Sequence, residues 1–275
     1  MPVMDAAFTA SHRGGSGEPL LLLHGFTDTW RTWELVLPAL ERRHDVLAIT
    51  LAGHAGGPPI DSGDPETAVR DAVAAALDAA GWETAHVVGN SLGGYVALHV
   101  AAAGRARSVV ALAPAGGWAD GDESYKDTLA YFTSAQELLR HAAPHAERIV
   151  ATPEGRRRAT LMTAERFEHI PADLLAHQIR GAAGCTAAAA LVAHALAHGW
   201  KVDAAAVTCP LRFVWGTEDK LLRWPTAAAR YRADFPQADW VELEGVGHLP
   251  QLDVPLETAE LILGVTAARG AAGVR

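Results

Sequence analysis

"VVGNSLGGYVAL", Val87 to Leu98, begins as a strand and ends as a helix. Its first residues are apolar and β-branched, and its last are rich in Ala and Leu with no breaker after Gly94. At the junction lies Gly89-Asn90-Ser91-Leu92-Gly93, a serine with a glycine two residues to each side. This arrangement has two readings. Serine often caps a helix, because its hydroxyl accepts a backbone N–H, and glycines ease a tight turn. A sharp strand-to-helix turn between small neighbours also holds a serine hydroxyl out over the end of a sheet, as a nucleophile. The second reading requires a base, an acid and an oxyanion site elsewhere in the chain.

Outward from this junction, short apolar runs alternate with helical patterns. Pro19–His24, Asp45–Leu51, Ala85–Asn90, Ser108–Gly116, Leu211–Gly216 and Asp239–Gly245 read as strands. Helices are expected at Trp30–Arg43 (interrupted by Pro38), Asp64–Gly81, Leu92–Gly104, Pro225–Pro236 and Pro255–Ala268. Asp64 suits a cap, Pro65 a first turn and Gly81 a stop. Such alternation predicts an α/β fold, a mostly parallel sheet with helices on both faces. It fails between Trp118 and Val207, which are rich in Ala, His and Arg and show no convincing strand. A stretch that long is not a loop. It reads as a helical lid (118–207) inserted into a core formed by 1–117 and 208–275, above the carboxyl edge where open α/β sheets bind ligands. The final Arg269–Arg275 reads as a frayed tail.

Composition narrows the function classes. The chain has 275 residues, 49% hydrophobic, with a net charge of −9. Its one basic cluster is Arg156-Arg157-Arg158, which follows Pro153-Glu154-Gly155 like an exposed helix start. Phosphate binding needs a concentrated basic face, so no nucleic-acid partner is expected. Cys185 and Cys209 do not make a disulfide framework, and free thiols in a reducing compartment are expected. No signal peptide and no bilayer-length apolar run are read, so the expectation is a soluble cytoplasmic protein without a membrane partner.

The carboxyl edge supplies partners for Ser91. A serine hydroxyl is a weak nucleophile until a base takes its proton, and that base is usually a histidine held by a carboxylate. Thr217-Glu218-Asp219 follows the strand Leu211–Gly216, and Val246-Gly247-His248 follows Asp239–Gly245. Either Glu218 or Asp219 can supply the carboxylate. Serine, acid and histidine each stand at a strand's end, in that order.

On these residues the chain resembles the α/β-hydrolase superfamily, in its lid-bearing, esterase-like form, along nearly its whole length. Gly89–Gly93 matches G-x-S-x-G, His24-Gly25-Phe26 resembles the H-G oxyanion loop, Gly216-x-x-Asp219 the acid turn and Gly247-His248 the histidine turn. The resemblance implies that Ser91 attacks a carbonyl, His248 moves its proton and Asp219, favoured over Glu218 by the family spacing, fixes the imidazole. It implies that the Phe26 and Leu92 N–H groups bind the oxyanion, and that His24 supports the oxyanion loop. The Asp-x-x-Gly-x-Gly common after the second strand is replaced here by "TLAGHAGGPP" (50–59), which bears on substrate identity. An Asp at position 91 would imply an epoxide hydrolase or dehalogenase; the serine argues against both.

The resulting expectation is a serine hydrolase acting on an ester, lactone or related acyl compound, with a moderately sized, apolar small-molecule substrate and no cofactor. Lid aromatics Trp118, Tyr125, Tyr131, Phe132, Phe167 and Trp200 exceed what a solvated lid needs. Trp118, Tyr131 and Leu249 are the candidate pocket residues. His194 and His198, like His141 and His145, have a four-residue spacing compatible with zinc, but no third ligand is evident and no metal is expected. The rival enzyme is a carbon–carbon bond hydrolase or lyase of the same fold, whose carboxylate substrates would use Arg180 or Arg223. A perhydrolase is a lesser option. The rival from another class is a non-catalytic ligand receptor.

Overall fold

The computed structural model describes residues 8–61 and 63–267. Seven strands form one sheet: β1 Ser11–Gly15, β2 Glu18–Leu23, β3 His44–Ile49, β4 Ala85–Asn90, β5 Ala106–Leu112, β6 Leu211–Gly216 and β7 Asp239–Leu243, in the order β1-β3-β2-β4-β5-β6-β7. All neighbours are parallel except β1 with β3. The middle strands are apolar on both faces. Leu21, Leu23 and Val87 pack into one core, and Leu20, Leu22 and Val88 into the other. This explains why they read as continuous apolar runs rather than alternating ones. β1 is absent from the sequence expectation. "SHRGG" carries no apolar period, because it is an edge strand with alternating exposed and half-buried residues.

The helices outside the insertion are α1 Leu37–Leu40, α2 Pro65–Ala79 and α3 Leu92–Ala102; those of the insertion are α4 Tyr125–Ala142, α5 Ala146–Val150, α6 Pro153–Thr160, α7 Ala172–Ala183 and α8 Ala188–His198; the last are α9 Ala229–Asp234, α10 Pro250–Asp253 and α11 Pro255–Thr266. Asp64 caps α2 by accepting the Thr67 N–H. The helix expected over Trp30–Arg43 is instead a 3-10 turn, Trp30–Trp33, followed by α1. Pro38 sits where a continuous helix would need its N–H and the space of its ring. Over Pro225–Pro236, a 3-10 turn (Thr226–Ala228) precedes α9. The expected tail Arg269–Arg275 lies outside the described residues.

Between β5 and β6 the described chain is helical. Ala146, Val150, Phe167, Leu174 and Leu175 form a small core of their own, shared with Leu249 and Leu252. The insertion leaves from the carboxyl end of β5. Because β5 and β6 are parallel, its last leg (199–210) travels the length of the sheet along α3, where Tyr95 bonds to Lys201, and rejoins at Pro210. α8 is fixed at its start by the Ala187 N–H on the Gly53 carbonyl (3.0 Å). Midway, His194 meets Asp64 (2.7 Å) and Glu66 (3.3 Å) of the α2 start. Those carboxylates occupy the histidine that the spacing with His198 had made a zinc candidate. Among the described residues no single helix is long and apolar enough to cross a membrane.

Candidate active site

Ser91 stands between β4 and α3 with φ 54° and ψ −116°, a conformation costly for any residue with a side chain. Its hydroxyl makes no capping bond to α3, so the helix-cap reading does not account for it. The backbone is held firmly. The Ser91 N–H donates to the Leu112 carbonyl, and its carbonyl accepts from Tyr95 and Ala115. The flanking glycines are needed for space. A Cβ on Gly89 would collide with the Gly93 backbone, and one on Gly93 with the Leu23 and His24 carbonyls. Thr27 and Ala113 also have positive φ, so the three left-handed non-glycine residues among the described residues follow strand ends at one edge of the sheet.

His248 and Asp219 are brought together. Imidazole Nδ1 lies 2.7 Å from Asp219 Oδ2, and both side chains are almost wholly buried. Asp219 Oδ1 accepts the N–H groups of Leu221 and Leu222 at 2.9 and 2.7 Å. Of the two carboxylates left open by the residues alone, Asp219 is the one on His248. The His248 turn is braced from two directions. The Asn90 carboxamide donates to the carbonyls of His248 and Leu112, both at 3.1 Å. Asp253 accepts from Gly247 (2.6 Å) and from Glu165 and Arg166 of the insertion. Neither Asn90 nor Asp253 carries a sequence signal for this, since their partners come from distant strand ends.

His24 is fully buried. The Leu51 N–H donates to its Nε2 at 2.9 Å, so Nδ1 carries the proton and donates to the Gly25 carbonyl at 2.7 Å. Burial, with His54 nearby, holds its pKa well below the usual histidine value. A neutral imidazole therefore pins the turn that presents Phe26. Leu92 is the first residue of α3, whose N–H has no carbonyl one turn back in its own helix.

Two cavities meet at this edge, and Ser91, Phe26 and Phe132 line both. One, about 610 Å³ and partly open to solvent, is walled by Leu92, Trp118, Leu129, Val192, Ala195 and Trp200. The other, about 840 Å³, is walled by Tyr131, Leu249, His248, Asp28, Gln178 and Thr160, among others. Trp118, Tyr131 and Leu249 thus all face space beside Ser91. Tyr125 lines the first cavity, whereas Phe167 packs inside the insertion's own core. Among the described residues, neither cavity is lined by Arg or Lys. Arg180 pairs with Glu147, and Arg223 lines a different cavity.

A profile of the alpha/beta hydrolase fold matches residues 18–255. Epoxide hydrolase EphH of Mycobacterium tuberculosis is 34% identical over 194 residues, 70% of this chain and 90% of that protein. The dihydrolipoyllysine-residue acetyltransferase component of the acetoin cleaving system of Pseudomonas putida is 30% identical over 258 residues, 91% of this chain and 64% of that protein. The crystal structure of esterase RhEst1 from Rhodococcus sp. ECU1013 superposes with a TM-score of 0.70 at 21% identity, covering 94% of each chain.

Proposed function

The chain belongs to the alpha/beta hydrolase fold family and is a hydrolase, and from that premise we propose that it is a serine hydrolase that cleaves an ester, lactone or related acyl compound through an acyl-enzyme. One observation carries the reading. Ser91 sits uncapped on a strained turn, in the same cavity as His248, whose far nitrogen is held by a buried carboxylate. Ser91 Oγ attacks the carbonyl while His248 Nε2 takes its proton. The Phe26 and Leu92 N–H groups receive the oxyanion, and losing one such donor costs roughly 3 kcal/mol of transition-state stabilisation. His248 then protonates the leaving oxygen, and water, activated by the same imidazole, releases the acid. Residues 118–207 act as a lid that shapes the two cavities.

The neighbouring chemistries are less well supported. Opening an epoxide through a covalent ester needs a carboxylate where this chain has Ser91. Cleaving a dienoate calls for a cationic wall, and the cavities at Ser91 have carboxyl groups instead. A receptor has no need of a buried acid–imidazole pair. The test is an alkyl fluorophosphonate followed by peptide mass spectrometry. Labelling confined to Ser91, with turnover of small activated esters, is expected. An unlabelled Ser91 in folded protein would overturn the reading.

A further inference from the structure

Each cavity at Ser91 is lined by one carboxyl residue, but Glu66 in the apolar one pairs with His194, whereas Asp28 in the other has only uncharged partners. This residue lies on the turn that presents Phe26, where its N–H closes onto the Gly25 carbonyl at 3.3 Å. Its Oδ1 accepts the Thr29 N–H (2.8 Å), and its Oδ2 accepts the Gln178 amide of α7 (3.0 Å). The groups acting on it, Thr29, Gln178 and Thr32, are all uncharged. Burial raises its pKa to about 6, so at neutral pH it is a carboxylate with no counter-charge, on the wall of the cavity that holds Ser91 and His248. A carboxylate has about four acceptor positions, so Asp28 keeps capacity beyond Thr29, Gln178 and Thr32, and it favours a donor or a cation.

The cavity it faces is the leaving-group side. His248 lines the cavity with Asp28, whereas Leu92 and the apolar walls Leu129, Val192 and Ala195 line the other. The imidazole protonates the leaving oxygen, so the alcohol departs into the space the imidazole borders. Resting on the acyl-enzyme reading above, we propose that Asp28, oriented by Gln178, is a specificity-determining residue that selects esters whose alcohol portion carries a hydrogen-bond donor, an ammonium or a hydroxyl, while the acyl portion is apolar.

The experiment uses the full chain and three ester series of one medium-chain acid. Their alcohols end in a methyl, a hydroxyl or an ammonium group at matched length, and the tether is lengthened one carbon at a time. At the best tether, kcat/KM for an ammonium or hydroxyl ester should exceed that of its alkyl isostere by about tenfold to a hundredfold, the range expected of a hydrogen bond to a charged group. The two donor series identify which group is preferred. Asp28→Asn should abolish an ammonium preference yet keep part of a hydroxyl preference, because an amide oxygen still accepts. Gln178→Leu should reduce the same ratio without touching the turn's own bonds. If Ser91 is labelled and simple esters turn over, but no tether gives a donor preference, this proposal fails alone. It also fails if Asp28→Asn lowers all three series by one common factor, since Asp28 is then a brace for the turn. If Ser91 is neither labelled nor active, the acyl-enzyme reading fails, and this inference with it.

Discussion

Replacing Asp219 by Asn tests the acid–imidazole pair with almost no change of shape. The carboxylate divides its oxygens, with Oδ2 on His248 and Oδ1 on the N–H groups of Leu221 and Leu222. An asparagine has one oxygen for these two jobs. Turned toward the backbone, it keeps both N–H bonds and points its NH2 at Nδ1. Turned toward His248, it sets NH2 against two buried N–H groups and leaves both unpaired, at about 1–3 kcal/mol each. The first orientation is therefore preferred by about 2–6 kcal/mol. It forces the proton onto Nε2, where the imidazole cannot accept one from Ser91. At 1.4 kcal/mol per tenfold, the active arrangement falls to between about one part in thirty and one in twenty thousand. The upper end matches the ~10⁴ loss known for the analogous change in serine proteases. The assay is kcat on a small activated ester, with active-site titration and a melting curve on the same sample. A loss under about tenfold in folded protein would refute the reasoning, as would an equal loss in Glu218→Gln.

Ser91→Gly and Ser91→Ala should both lose labelling, but the glycine variant should be the more stable by about 1–2 kcal/mol, because it relieves the left-handed conformation. Equal melting temperatures would remove the strain argument. Burial holds His54, His99 and His177 near a pKa of about 4, against an ordinary 6.5. The unfolded chain takes up these protons first, so stability is complete above about 6.5 and is lost as pH falls toward about 4. Asp28 works in the opposite sense between 3.8 and about 6. Burial also lowers His24 and His44, and these five histidines against one acid predict a lower melting temperature at about pH 4.5 than at about pH 7.5, and an equal or higher one would contradict this. Trp118→Ala should shift acyl-length preference, and Tyr131→Ala leaving-group preference, each by roughly 1–3 kcal/mol in kcat/KM. A uniform loss on every substrate would make these residues structural.

The elements readable in the sequence are those with a physical reason to be local. Gly89 is required by the backbone of Gly93, four residues on, Asp64 and Pro65 act within one helical turn, and the central strands are apolar on both sides. β1 was not readable, because an edge strand half open to solvent needs no apolar period. The site divides in the same way. Ser91, Asp219 and His248 each follow a strand and carry a short motif, whereas Asp28 means nothing until α7 brings Gln178 across 150 residues of chain. Asn90 occupies a freely variable position of G-x-S-x-G, and its carboxamide acquires a role only through β5 and the His248 turn.

The attachment of α8 has a kinetic consequence. This helix is pinned at Gly53, held midway by His194 on the α2 carboxylates, and followed by Gly199 in a left-handed conformation with open space around it. α7, by contrast, buries Leu174, Leu175 and Ile179 in the insertion's core. Of these contacts, the His194–Asp64 pair is the one near solvent, and such a pair is exchanged for water more cheaply than buried apolar contacts are. α8 also buries Ala188, Val192 and Ala195, but these are fewer and smaller than the leucines and isoleucine of α7, so residues 188–198 are the more weakly held wall of the apolar cavity. Amide hydrogens of α8 should therefore exchange faster than those of α7 or α3, and a disulfide tying α8 to α2 should slow turnover of acyl chains that fill the cavity more than turnover of an acetate.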